Sequence, residues 1–224
     1  MTDLESLVRS KGRLFSDELG IDVVRTPFRW LLAAMLFGRR INQTNARNTY
    51  AAFARRRLLT PQAILRAGRD VLIVVMGECG YVRYDNMMSD YVIGACRKLV
   101  DEYGGKIEAV HARAQSSTNL QAQLLEFKGI GPVTLSIFLR ELRGVWERAD
   151  PPLTQVQLLA ARALGFSKST DPQRVLKDLK GLWARSPVPG YDFRHLEAAL
   201  VRTGLELRQS GRKQARRSNS CRPL

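Results

Sequence analysis

LQAQLLEFKGIGPVTLSIFLRELRGVWERAD, residues 120–150, is the stretch that decides the fold. Before its turn, Leu120, Leu124 and Phe127 recur at i, i+4 and i+7; after it, Leu135, Phe138, Leu139 and Leu142 recur at i, i+3, i+4 and i+7. Each flank therefore carries one apolar helical face. The connection Phe127-Lys128-Gly129-Ile130-Gly131-Pro132 is very short, so residues 120–142 are expected to form a pair of packed helices. Gly129 and Gly131 are expected to adopt positive φ and to let the backbone approach a ligand without a Cβ in the way. Pro132 suits the first turn of a helix, where its missing N–H is not needed. The free N–H groups would then face outward at the positive end of the helix dipole, a site for a phosphate oxygen. Lys128 could add a charge and Thr134 a hydroxyl, so Lys128, Gly129, Ile130, Gly131 and Thr134 are the candidate DNA-contacting set. The same pattern would also serve an ordinary helical hairpin with a glycine turn.

Charge favours the nucleic-acid reading. The chain has 224 residues, enough for one fair-sized core or two small subdomains, and its 45% hydrophobic and 25% charged content is ordinary. A formal net charge of +15 is not ordinary. Between Arg25 and Arg69 stand ten arginines and no acidic residue. A field of one sign over such a stretch repels itself unless an anionic polymer meets it, and the arginines are spread over several segments rather than along one membrane-surface helix. Double-stranded DNA is the expected partner, an anionic membrane surface the weaker alternative. No apolar run approaches ~18 residues, and the acidic start Met1 to Glu5 has no signal-peptide core, so a soluble, monomeric, cytoplasmic and nucleoid-associated protein is expected. Cys79, Cys96 and Cys221 stand too far apart for a disulfide framework or a metal spacing, and His111 and His195 lack partner ligands. Neither a metal nor a cofactor is expected.

Along the chain, Leu4, Leu7, Val8, Leu14 and Phe15 suggest a first helix broken at Gly12. Thr26-Pro27 signals a helix start with a hydroxyl cap, and Phe28, Leu31, Leu32, Met35 and Leu36 give it one buried side. Val71 to Met76 is an apolar run read as a short buried helix. A loop through Tyr81 and Tyr84 precedes a helix with Met88, Val92, Cys96 and Leu99 inward. After Asp150, Val156, Leu159, Ala160, Ala163 and Leu164 mark a core helix, Asp171-Pro172 starts another, and a last one runs from about Asp192 to Leu207. Residues 208–224 are basic and polar without apolar periodicity and read as a disordered tail that adds salt-sensitive DNA affinity, leaving 1–207 as the folded domain.

Lys128-Gly129-Ile130-Gly131-Pro132-Val133-Thr134 followed by Asp150 resembles the hairpin and downstream aspartate of the helix-hairpin-helix DNA glycosylase superfamily, which includes endonuclease III. Residues 27–36 are similar to its first core helix, and residues 95–105 to the helix ahead of its hairpin. The resemblance implies an all-α fold with two helical subdomains flanking a DNA-binding cleft, and a base-excision enzyme that everts a damaged or mismatched base. Many members hold an iron–sulfur cluster on four closely spaced cysteines; their absence points to the cluster-free branches.

The resemblance assigns the catalytic carboxylate to Asp150, which would stabilise the sugar cation and orient the attacking water. Asp150 could equally cap a following helix begun by Pro151 or Pro152. Those two prolines replace the polar residues usual in relatives. Bifunctional members carry a lysine two residues after the second hairpin glycine; Val133 stands there, which implies a monofunctional enzyme. Arg39 occupies the loop position that fills the hole left by an everted base, with Arg40 and Asn42 nearby, although phosphate contact alone is an equal reading. Val133, Tyr81 and Tyr84 are candidate base-pocket residues, the tyrosines for stacking unless they are ordinary core aromatics. The target base is not legible, with a lean toward alkylated or deaminated bases. The alternative function is a non-catalytic helix-hairpin-helix DNA-binding protein.

Overall fold

Twelve segments of helix succeed one another among residues 4–220, the part described by this computed structural model, whose side chains are described up to residue 211. They are α1 (Leu4–Lys11), α2 (Phe15–Glu18), α3 (Pro27–Phe37), α4 (Gln43–Arg55), α5 (Pro61–Glu78), α6 (Asp85–Tyr103), α7 (Glu108–Arg113), α8 (Ser117–Leu125), α9 (Pro132–Arg140), α10 (Gln155–Ala163), α11 (Pro172–Arg185) and α12 (Phe193–Ser220). Among the described residues the only strand-like pairing is an isolated bridge between Arg143 and Trp146. The fold is all-α, as expected.

The chain divides into two compact units, one made of residues 16–151 and the other of 1–15 with 152–224. The larger unit is built around α3. Trp30 through Leu36 are all buried, so this helix is apolar on every side rather than along one face, which suits a central helix wrapped by its neighbours. It packs against α4, α6 and α9, and the Trp30 indole N–H donates to the Phe138 carbonyl of α9 at 3.1 Å. The helix starts where Thr26-Pro27 predicts, but the Thr26 hydroxyl turns back to the Asp22 carbonyl at 2.8 Å instead of capping it.

The apolar run Val71 to Met76 is helical but is not a short buried element. It belongs to α5, which bends at Gly68; Leu72, Val75 and Met76 point inward while Val71 and Val74 are exposed. Six apolar residues in a row hid an amphipathic helix, because periodicity cannot be read where every position is apolar.

In the smaller unit, α1, α10, α11 and α12 share a core of Leu7, Val8, Leu158, Val175, Leu179, Leu196 and Leu200. The inward face of α10 is turned from the expected one: Gln157, Leu158, Ala160 and Ala161 are buried, whereas Leu159 and Ala163 are exposed. The last helix continues to Ser220, past the expected end at Leu207, so residues 208–220 are helical rather than irregular. Residues 221–224, including Cys221, lie outside the described part.

Candidate functional site

The hairpin is formed by α8 and α9, with Leu120, Leu124, Phe127, Ile130, Leu135, Phe138 and Leu139 all buried beneath it. Its two glycines do different work. Gly129 has φ +87°, and a Cβ there would lie 2.6 Å from Cβ of Tyr91, so both the backbone angle and the space demand glycine. Gly131 does not adopt positive φ as expected. It is the extended N-cap of α9 at φ −100°, with no atom within 4 Å of where a Cβ would stand. No backbone carbonyl among the described residues accepts from the N–H of Gly129 or Gly131. The turn therefore leaves the Gly129 and Gly131 amides without a backbone acceptor at a helix N-terminus.

The side chains sort into those that face this space and those that brace it from behind. Lys128 is exposed, with its stem beside Gly94 and its ammonium 5.9 Å from the centre of the Tyr91 ring. Val133 is 60% exposed on the first turn of α9. Ile130 and Thr134 are buried, and Thr134 packs against Gly38 at the end of α3, so its hydroxyl faces the protein and not a strand outside. Arg39 is half-buried: its guanidinium lies 5.0 Å from the Tyr91 ring centre and reaches the Gly129 carbonyl at 3.5 Å. It thus docks onto the hairpin, whereas Arg40 is exposed and Asn42 caps α4 by accepting from the Thr44 N–H at 2.8 Å.

Tyr81 is not available for stacking on a base. It is fully buried, its hydroxyl donates to the Leu36 carbonyl at 2.8 Å, and burial pushes its pKa well up. Of the expected pocket tyrosines only Tyr84 retains an accessible surface, edge-on to Tyr81 and under the Arg83 guanidinium. Aromatic residues in a loop are drawn inward by the same burial that would serve a base, and sequence does not separate the two outcomes.

Asp150 lies at the end of the turn that follows α9. That turn is wound on itself: Val145 and Trp146 donate to the Leu142 carbonyl at 2.9 and 2.8 Å, and Ala149 donates to Trp146 at 2.9 Å. Trp146 is wedged edge-on against Phe138 and stacks on His111 at 4.9 Å, and the His111 Nε2 accepts from the Arg148 N–H at 3.3 Å. Burial, then the Arg148 charge, holds the His111 pKa down, which suits an acceptor imidazole; its role is structural. Asp150 itself is not a helix cap. Residues 151–154 are non-helical, and Thr154 caps α10 through a reciprocal box with Gln157. The Asp150 carboxylate is 47% exposed and paired with Arg143, whose side chain is only 7% exposed. Arg143 also donates to the Pro151 carbonyl at 2.5 Å, and the Ser117 hydroxyl to the Asp150 carbonyl at 3.3 Å.

The arginine-rich block is less one-signed than its sequence. Folding brings acids from outside it: Glu18 to Arg47, Glu78 to Arg56 at 2.5 Å and Asp90 to Arg69 at 2.6 Å. Arg40, Arg55, Arg57 and Arg66 stay exposed with no ion pair among the described residues, and Arg57 is held at φ +55°. The residues that reasoning on sequence missed are Tyr91, Ser117 and Arg143. Nothing in their local pattern marks them, because each acts across 30 residues or more, or through burial.

Cys79 and Cys96 stand apart, and burial pushes the Cys96 thiol up to about 12. Three cysteines in the chain do not provide the donors of a four-cysteine cluster. No cluster of metal-ligating side chains occurs among the described residues.

No protein-family model matches the chain. In sequence it is 24% identical over 180 residues to endonuclease III of Synechocystis, across 80% of this chain and 72% of that protein. In structure it matches the H. pylori 3-methyladenine DNA glycosylase solved bound to 1,N6-ethenoadenine, with a TM-score of 0.56 and 15% identity over 93% of this chain and 98% of the other. The chain is thus similar in sequence to an endonuclease III and in fold to a DNA glycosylase. No helix among the described residues is long and apolar enough to cross a membrane.

Proposed function

We propose that this protein is a monofunctional DNA N-glycosylase of base-excision repair. The observation that carries the reading is Asp150: a half-exposed carboxylate on a rigid turn directly after the hairpin. In this role the hairpin amides of Gly129 and Gly131 hold a phosphate of the damaged strand, with Lys128 supplying charge. Asp150 then faces the sugar of an everted nucleotide, where its negative charge stabilises the cation that develops as the base departs and orients the water that replaces it. Val133, standing where a Schiff-base lysine would be needed, leaves an intact abasic site as the product. The two similar proteins, an endonuclease III and a 3-methyladenine glycosylase, support base excision as the reaction class. The second, bound to 1,N6-ethenoadenine, supports alkylated bases as the substrates.

Pairing of Asp150 with Arg143 supports a second reading, a non-catalytic DNA binder in which the carboxylate serves only to neutralise a buried arginine. One experiment separates the two. Duplexes carrying 1,N6-ethenoadenine, hypoxanthine, uracil, or thymine opposite guanine are incubated with the protein and then treated with hot alkali. Strand breaks at one lesion that vanish in Asp150→Asn establish the glycosylase; Asp150→Asn at the parental rate removes Asp150 from catalysis. A borohydride-trapped protein–DNA adduct would overturn the monofunctional assignment.

A further inference from the structure

We infer that Arg143 is a positioning residue for the reaction: it acts through Asp150, setting the direction in which the carboxylate meets the sugar. The inference rests on the glycosylase reading above. Arg143 sits on the turn after α9, buried to 7% side-chain exposure, while its partner Asp150 remains 47% exposed. A buried guanidinium keeps its charge and must be satisfied where it lies. Here its guanidinium engages two residues that are adjacent in sequence: it is ion-paired with the Asp150 carboxylate and donates to the Pro151 carbonyl. Other contacts fix the rest of Asp150: its N–H donates to Arg148 at 3.1 Å and its carbonyl accepts from Ser117 at 3.3 Å. Pro151 and Pro152 lock their own φ, which restricts the backbone leaving the carboxylate. The Pro-Pro pair that departs from the superfamily pattern thus has a partner: prolines stiffen the chain, and Arg143 registers it.

Two effects of the arginine oppose each other. Its charge offsets part of the field that the carboxylate presents to a developing cation, while its grip keeps the carboxylate pre-aimed. Misplacing a catalytic group by about 1 Å costs on the order of 100-fold in rate, so positioning is the larger effect.

The test is single-turnover base release from the lesion duplex that the parental protein cuts, with binding to a tetrahydrofuran-containing duplex measured in parallel. Arg143→Met is expected to slow release by about 10- to 100-fold, and Arg143→Lys, a point charge without the fork, by roughly tenfold, both with DNA affinity unchanged. In an Asp150→Asn background, Arg143→Lys should have no further effect, which a merely structural arginine would not produce. Should Arg143→Met fail to fold, the Arg143→Lys comparison in both backgrounds decides alone. Release by Arg143→Lys at or above the parental rate, or an equal slowing in the Asp150→Asn background, overturns the inference while leaving the glycosylase standing. If Asp150→Asn itself releases base at the parental rate, the catalytic assignment fails first and this inference falls with it.

Discussion

The two hairpin glycines should respond in opposite ways to one added methyl group. Gly129→Ala places a side chain at φ +87°, which costs about 1–2 kcal/mol. The same methyl meets Tyr91 at 2.6 Å, and overpacking of this kind adds about 1–3 kcal/mol. Tyr91 does not step aside freely, since Arg39 and Lys128 both lie over its ring. Together the two costs come to about 2–5 kcal/mol, and at roughly 2–4 °C per kcal/mol for a chain of this size the melting temperature should fall by about 4 to 20 °C. Gly131→Ala meets neither obstacle, having φ −100° and open space. Alanine is the poorer N-cap by some tenths of a kcal/mol, but it also narrows the unfolded ensemble by a similar amount, so stability should stay within about 0.5 kcal/mol of the parent. Its methyl, however, occupies the space over the amide donors. Loss of one charge-assisted hydrogen bond, about 1.5–3 kcal/mol, should weaken DNA binding by about 10- to 150-fold. Urea unfolding followed by circular dichroism, with fluorescence anisotropy on a labelled duplex, reads both quantities. If Gly131→Ala bound DNA like the parent, or lost as much stability as Gly129→Ala, the assignment of the Gly131 space to a phosphate would be wrong.

Other outcomes follow from the same packing. Tyr81→Phe strands the buried Leu36 carbonyl and should cost about 1–2 kcal/mol in a urea titration while leaving base release untouched; lost base release at full stability would return Tyr81 to the base pocket. Arg57→Gly relieves a left-handed arginine and should raise stability by about 1 kcal/mol, while removing a cation from the exposed set and lowering the slope of log K against log salt by about 0.9 if that cation meets a phosphate. His111 is held neutral by burial, its pKa below the ordinary 6.5, so the unfolded chain takes up a proton before the folded one. Stability should therefore fall as pH drops through 6.5, the fall ending once the folded imidazole also protonates; His111→Gln should flatten that slope in denaturant titrations at a series of pH values.

Sequence alone determined the parts of this protein that depend on neighbours a few residues apart. The leucine and phenylalanine spacing around Gly129 to Gly131 specified two helices and a reversal, and Asp171-Pro172 announced its helix, because caps and periodic faces are local. The net charge of +15 pointed to an anionic partner, because charge sums without regard to fold. Tertiary structure alone decided which side chains remain outside and which are paired. It put Tyr81 and Thr134 inside, brought Glu18, Glu78 and Asp90 to arginines 20 or more residues away in sequence, and turned α10 to bury Gln157 in place of Leu159. It also gave Asp150 a buried arginine where sequence suggested a helix cap. Burial and ion pairing are set by elements that meet only after the chain has closed on itself, and a pattern of neighbours along the chain holds no record of that meeting.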